Sequence, residues 1–140
     1  MACSICNRLK SFEADPALVH EFENSILVVG AHQYYPGYCV LYLKKHVREL
    51  HDIDPELQAQ FYMELLQATK AVSMAYMPWK INHASLGNVV GHVHWHIIPR
   101  YADDPQRENH PWIHEADFGQ YVPTIEQYRA IAARIREYLS

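Results

Sequence analysis

The chain has 140 residues, 49% of them hydrophobic and 20% charged, a balance that is typical of one soluble globular domain. Its formal net charge is −4 with histidine neutral, which argues against a basic surface for duplex nucleic acid. Because no apolar run has membrane-spanning length and the first residues lack a signal-peptide pattern, we expect no membrane partner and a cytoplasmic location. The three cysteines are too few for a disulfide scaffold, which favours a reducing compartment.

Two β-prone runs come first along the chain. Residues 25–29 form an apolar run that ends at Gly30, and residues 38–43 form a second after a Tyr-Pro-Gly turn signal. A weaker strand candidate covers residues 80–86. These segments predict a sheet.

The first long helix is predicted to begin at Asp54 and Pro55. An aspartate can cap a helix, and proline suits the first helical position. The apolar residues that follow at helical spacing are Leu57, Phe61, Leu65, Ala68, Val72 and Ala75. The helix should end before Pro78, because proline disfavours helical conformation in the preceding residue.

The carboxyl-terminal part of the chain contains a long segment without regular periodicity, residues 101–123. A loop of this length is usually functional or packs elsewhere as an arm. Thr124 and Gln127 form a capping-box pair that begins a second amphipathic helix. Strands, a helix, further strands and a helix predict an α+β layer fold with an antiparallel sheet.

The most informative segment is residues 92–98, in which His92, His94 and His96 alternate with bulky apolar residues. Because side chains on a strand alternate between faces, the three imidazoles should share one face and the apolar side chains should share the other. Histidines can act as nucleophile, acid, base or metal ligand near neutral pH. This spacing leaves open both covalent catalysis and a hydrolase in which the three histidines jointly bind a catalytic metal.

Cys3 and Cys6 form a second candidate site. The spacing Cys-x-x-Cys is a strong half-site for zinc and a weak redox motif. Redox chemistry would need a strand before the pair, and only two residues precede it in the sequence.

Three segments together resemble the histidine triad (HIT) superfamily, in particular its bacterial members. Residues 87–100 read Gly-Asn-Val-Val-Gly-His-Val-His-Trp-His-Ile-Ile-Pro-Arg, residues 36–46 are similar to the family's glycine-led strand that ends in Lys-x-His, and Cys3-x-x-Cys6 matches many bacterial members. The resemblance predicts a HIT domain over residues 1–103. Residues 104–140 are then a carboxyl-terminal extension, a loop or arm plus a helix, which we expect to pack on the same domain.

The resemblance implies an antiparallel sheet of about five strands with a central helix and a carboxyl-terminal helix. It also implies a homodimer with one continuous sheet. The implied activity is hydrolysis or nucleotidyl transfer at the α-phosphate of a nucleotide conjugate, of the dinucleoside polyphosphate or nucleoside phosphoramidate type. On this resemblance His94 is the nucleophile that forms a nucleotidyl-histidine intermediate, His96 donates a hydrogen bond to the phosphate, and His92 completes the catalytic set.

Substrate-binding and metal-binding residues also follow from the resemblance. Asn82, Asn88 and the backbone at Gly87 are expected to contact the phosphates. His46 and His92 match the ligands that join the two cysteines in zinc-containing relatives, giving a structural Cys2His2 site. The alternatives are a metal-free protein, with the two histidines hydrogen-bonded internally, and a redox pair.

Two departures from the family pattern favour an alternative function. Tyr38 and Val89 stand where relatives often carry side-chain donors, and these replacements favour a nucleotide-binding regulatory module with little catalysis.

For the dimer, we expect helices at residues 61–72 to face each other and the 101–123 arm to reach the partner's site, with Trp112 as its anchor. Arg100 is expected to be exposed to solvent.

Overall fold

A computed structural model describes residues 2–139 and contains one antiparallel sheet of five strands in the order β1-β2-β3-β5-β4. The strands are β1 (Leu18–Glu21), β2 (Ser25–Val29), β3 (Cys39–Leu43), β4 (Lys80–Ala84) and β5 (His94–Arg100). The helices are α1 (Ser4–Leu9), α2 (Pro55–Tyr76) and α3 (Ile125–Arg136). The predicted α+β class is confirmed, as are the central and carboxyl-terminal helices.

The register of the central strands determines which side chains share a face. In β3 and β5, Val40 pairs with His96 and Tyr42 pairs with His94, so these four side chains lie on one face of the sheet. The opposite face carries Ile97, which is fully buried. Helix α2 covers that opposite face, and its apolar stripe from Phe61 to Ala75 is buried as predicted.

Both ends of α2 agree with the sequence prediction, with one difference at the start. Asp54 occupies the N-cap position, but its side chain makes no capping hydrogen bond and lies 3.5 Å from the Lys45 ammonium. The helix ends at Tyr76, and Met77 adopts a left-handed conformation with φ of 49° just before Pro78. Within residues 2–139, no helix combines the length and apolar character needed to cross a membrane.

Strand β1 and a buried acid were not predicted from the sequence. The β1 strand has only four residues and contains one fully buried side chain, Val19, so its alternation is too brief to give a periodic signal. Glu64 lies on the buried side of α2, where it accepts hydrogen bonds from the Ser25 hydroxyl at 2.5 Å and from the Asn24 backbone amide. These bonds explain how a carboxylate is accommodated there.

The carboxyl-terminal segment packs against the sheet of its own chain. Residues Pro111–Tyr121 form 3-10 turns with a kink at His114. The Tyr35 hydroxyl donates to the Pro111 carbonyl at 2.6 Å, and the Phe118 ring stacks on His32 with centroids 3.8 Å apart. The following helix, α3, begins with the predicted capping box at Thr124.

Arg100 connects the loop before this segment, at residues 106–109, to the sheet. The expectation that Arg100 is exposed is wrong. Its side chain is 1% exposed. The guanidinium donates to the Asn82 side-chain oxygen and to two backbone carbonyls, those of Gln106 and Asn109, at 2.7–2.9 Å. It thereby joins the loop at residues 106–109 to β4 and β5.

Candidate functional site

A cavity of about 250 Å³ opens on the histidine face of the sheet. It lies between the amino-terminal helix, the end of β2, strands β3 and β5, and the loop before β5. The side chains and backbone that line it belong to Ser4, Ile5, Arg8, Val29, Gly30, Ala31, Tyr38, Val40, Tyr42, Val90, His94 and His96. Its volume is close to the lower end of the range for small-molecule sites, about 300 Å³.

His94 lies at the start of β5 with its ring in this cavity. Its Nδ1 is 2.7 Å from the backbone carbonyl of His92. A carbonyl oxygen can only accept, so Nδ1 carries the proton and donates. A neutral imidazole has one N–H, and Nε2 of His94 therefore carries a lone pair.

His96 lies two residues further along the same face, with its ring centroid 5.1 Å from that of His94. Its Nδ1 is 2.7 Å from the Tyr38 hydroxyl. Burial, followed by the nearby His94 and His32, lowers the pKa of His96 to about 4. His96 is therefore neutral at pH 7, so it can act as a hydrogen-bond donor without bringing a charge into the cavity.

His92 is separated from the other two histidines. Strand β5 begins at His94, so the prediction that all three imidazoles share one strand face is wrong for His92. Its ring is fully buried, with Nε2 2.6 Å from the Leu43 carbonyl and Nδ1 directed toward Cys3 and Cys6. Both ring nitrogens are thus engaged away from the cavity.

The structure brings Cys3, Cys6, His46 and His92 together, as the sequence predicted. Their four ligand atoms lie within 4.8 Å of one another. Within residues 2–139, no other group of three or more histidine, cysteine or acidic side chains is arranged to hold a metal ion. The three histidines of residues 92–98 consequently do not form a joint ligand set, which argues against a metal bound by all three.

Most of the distances between these four atoms are close to those of a tetrahedral zinc site. Tetrahedral bonds of about 2.3 Å to sulfur and 2.0–2.1 Å to nitrogen imply edges of about 3.3–3.8 Å. The observed distances are 3.1 Å between the two Nδ1 atoms, 3.3 Å from Cys6 Sγ to His46 Nδ1, and 3.5 Å from Cys3 Sγ to His92 Nδ1. Because His92 donates from Nε2 to the Leu43 carbonyl, its Nδ1 presents a lone pair to the cluster, as a metal ligand must.

The three predicted phosphate contacts lie in different surroundings. The Asn82 side-chain oxygen accepts from Arg100 at 2.8 Å, so this asparagine belongs to the hydrogen-bond network of the Arg100 guanidinium. Asn88 is exposed, in the loop that brings Val90 to the cavity. Gly87 has a φ of 70°, a left-handed conformation that allows the loop to turn before β5.

Arg8 and Tyr42 also line the cavity and were not identified from the sequence. The Arg8 guanidinium donates to Asp15 at 2.6 Å and to the Tyr42 hydroxyl at 3.2 Å. This pairing raises the pKa of Arg8 against the opposing effect of burial. The available sequence signal was a cation two residues after Cys6, because α1 must lie beside the histidine strand if Cys3 and Cys6 meet His92.

Trp112 contacts the site of its own chain. Its ring packs edge-on against His96, with centroids 5.7 Å apart. The prediction that Trp112 anchors the arm on a partner's site is therefore wrong.

Comparison with known proteins identifies the family. The model of the HIT domain matches residues 11–103. The chain belongs to the HIT family. It is 25% identical over 104 residues, 71% of each chain, to Protein hit of Bacillus subtilis.

Solved structures of HIT proteins share the fold. A histidine triad protein of Sinorhizobium meliloti has a TM-score of 0.77 at 26% identity, with 93% of this chain and 94% of that chain covered. A zinc-bound histidine triad family protein of Mycobacterium smegmatis has a TM-score of 0.71 at 20% identity, with 99% and 94% covered.

Proposed function

We propose that this HIT protein binds a nucleotide conjugate in the cavity and cleaves it at the α-phosphate, with His94 as the nucleophile. The observation that carries the proposal is the bond from His94 Nδ1 to the His92 carbonyl, because it leaves a lone pair on Nε2 in a cavity of small-molecule size. A neutral imidazole is a competent nucleophile at pH 7, and a covalent intermediate divides one difficult displacement into two easier ones.

The reaction proceeds in two displacements. The Nε2 lone pair of His94 forms a bond to the α-phosphorus while the bond to the leaving group breaks, and that group departs with the electron pair and takes a proton from solvent. Water, or another acceptor in a transferase, then attacks phosphorus. The phosphorus–nitrogen bond breaks, its electron pair returns to Nε2, and the proton of the acceptor is released.

The contributions of the other predicted substrate contacts differ in their support. His96 lies beside His94 and can donate to a phosphate oxygen. Asn88 and the backbone at Gly87 belong to the exposed loop next to the cavity and are proposed as phosphate contacts. Asn82 is not proposed as a phosphate contact, because its side-chain oxygen accepts from Arg100 and it does not line the cavity.

We further propose that Cys3, Cys6, His46 and His92 hold a structural zinc ion. When bound, zinc supplies cross-linking of the amino terminus to the loop before β5, and no step of the reaction passes through it. Because Cys3 caps α1, Cys6 lies within it and α1 carries three cavity residues, the cluster positions one wall of the cavity.

The proposed assembly is a homodimer formed through α2 and the edge strand β4. The outward face of α2 exposes Tyr62, Met63 and Leu66 at 41–58%, and β4 is an outer strand of the sheet. Large exposed apolar side chains beside a free strand edge are typical of an association surface. Light scattering at micromolar concentration should give twice the mass of the chain, and a monomer would contradict this assembly.

The nucleophile is tested with His94→Ala and a matched control, His51→Ala. His51 is exposed and lies outside the cavity. On a panel of adenosine phosphoramidates and dinucleoside polyphosphates, we expect His94→Ala to lose turnover about a thousandfold or more while still binding the nucleoside monophosphate. The control should retain wild-type turnover. Equal turnover in wild type and His94→Ala would overturn the mechanism.

The regulatory alternative gives a different outcome in the same assay. If the protein is a nucleotide-binding module with little catalysis, wild type binds nucleotide but turns over no member of the panel. Val89, which favoured this alternative, is 97% exposed and does not line the cavity. Tyr38, the other departure, lines the cavity and is hydrogen-bonded to His96.

A further inference from the structure

Tyr38 is held tightly against His96. Its side chain is 8% exposed, its hydroxyl lies 2.7 Å from His96 Nδ1, and the two rings are nearly parallel, with centroids 6.0 Å apart and an interplanar angle of 22°. Tyr38 is the residue just before β3, and His96 lies in β5, the strand that pairs directly with β3. The hydrogen bond therefore joins the start of β3 to the middle of β5.

The direction of this hydrogen bond follows from the protonation states together with the partners available to the hydroxyl. Burial raises the pKa of the Tyr38 hydroxyl and lowers that of His96, so at neutral pH the hydroxyl keeps its proton and the imidazole is neutral. Within residues 2–139 the Tyr38 hydroxyl has His96 Nδ1 as its one hydrogen-bond partner, so its proton has no other acceptor; we infer that the hydroxyl donates and Nδ1 accepts. The single N–H of the neutral ring then lies on Nε2.

The surroundings of Tyr38 leave it little freedom to move. A Cβ at Gly30 would lie 2.2 Å from the Tyr38 ring, so the tyrosine occupies the space that a side chain at position 30 would need. His32 lies against the other side of the site, with its centroid 4.9 Å from the Tyr38 ring, and Trp112 packs on His96. The pair is enclosed on several sides.

His94 and His96 thus carry opposite tautomers. His94 donates from Nδ1 to a backbone carbonyl and keeps a lone pair on Nε2, whereas His96 accepts at Nδ1 and keeps its proton on Nε2. Within residues 2–139, Arg100 Nε is the one buried side-chain nitrogen or oxygen without a hydrogen-bond partner. His96 Nε2 also has no such partner, so it is not buried, and His96 lines the cavity. One histidine presents an electron pair and its neighbour presents a donor.

We propose that Tyr38 is a positioning residue that holds His96 as the Nε2–H tautomer, so that His96 donates to a phosphate oxygen while His94 attacks phosphorus. The expected effect on turnover rests on the proposed function, whereas the tautomer of His96 does not depend on it. Tyr38 transfers no proton. It orients one donor toward the phosphate, where negative charge accumulates during the displacement.

The direct test is ¹⁵N NMR of the histidine rings at pH 7 in wild type, Tyr38→Phe and Tyr42→Phe. In wild type, His96 should carry its proton on Nε2 and show a hydrogen-bonded, unprotonated Nδ1. Tyr38→Phe keeps the ring on Gly30 and removes only the hydroxyl, so the Nδ1 resonance should shift toward that of a free acceptor and a population with the proton on Nδ1 should appear. Tyr42→Phe should leave the His96 resonances in place, because the Tyr42 hydroxyl bonds to Arg8.

Steady-state kinetics of Tyr38→Phe provide a second test. Loss of one oriented hydrogen bond should lower kcat of Tyr38→Phe about tenfold while KM changes less than about twofold. A wild-type His96 with its proton on Nδ1 would overturn the proposal even if the variant did not fold. Unchanged resonances and kcat in a folded Tyr38→Phe would also overturn it. If the resonances shift but wild type turns over no nucleotide conjugate, the tautomer assignment stands and the proposed function fails.

Discussion

Arg100 should be among the residues on which the stability of this fold depends most. Replacement by methionine keeps the aliphatic stem and removes the guanidinium, which makes three hydrogen bonds of 2.7–2.9 Å. At about 1–1.5 kcal/mol for each bond, the free energy of unfolding should fall by about 3–4.5 kcal/mol. This is a large part of the total stability of a domain, about 5–15 kcal/mol.

Urea unfolding followed by fluorescence measures this loss, and Arg107→Met is the matched control. Arg107 lies in the same loop but is exposed, with one hydrogen bond to the Ala102 carbonyl. Its replacement should cost about 0.5 kcal/mol or less. A cost below about 1 kcal/mol for Arg100→Met would refute the argument that the buried guanidinium holds the 101–110 loop to the sheet.

Three further predictions concern the site. Gly30→Ala should cost about 1–3 kcal/mol and displace the Tyr38 ring, because the added Cβ would lie 2.2 Å from it; a crystal structure of the variant with the ring in place would contradict this. Purified protein should contain about one zinc per chain by elemental analysis, and removal of the metal should lower Tm. Full zinc content and an unchanged Tm in Cys6→Ser would argue against the site. The free energy of unfolding should fall as pH decreases from 6.5 to about 4, because over this interval His96 binds a proton in the unfolded chain but not in the folded one. The pH dependence of Tm should be weaker in His96→Asn than in wild type, and an equal dependence in the two proteins would be contrary evidence.

The elements that the sequence predicted well are those with long or strongly marked patterns. Helix α2 has an apolar stripe and a proline near each end, and α3 has a capping box, so both were predicted from local signals. The cluster of Cys3, Cys6, His46 and His92 was predicted from the family resemblance, and the structure brings its four ligand atoms together. Strand β1 was missed because four residues give too little alternation.

The errors arose where tertiary contacts decide the environment of a residue. The period of a strand placed His92 on the same face as His94, but the chain enters β5 only at His94 and the preceding ring turns toward the cysteines. Arg100 is buried because backbone carbonyls from a loop several residues away surround it, and no local pattern encodes that loop's path. The hydrogen bond between Tyr38 and His96 likewise joins residues 58 positions apart in the chain.

The most direct test of the central claim is to trap the covalent intermediate. Wild type and His94→Ala would be mixed with an adenosine phosphoramidate, quenched at short times at alkaline pH, where phosphohistidine survives, and examined by intact-protein and peptide mass spectrometry. The account predicts an adenylyl adduct on the peptide that contains His94, in wild type alone. Turnover of the substrate by wild type with no adduct at any time, or an adduct of equal yield in His94→Ala, would contradict it.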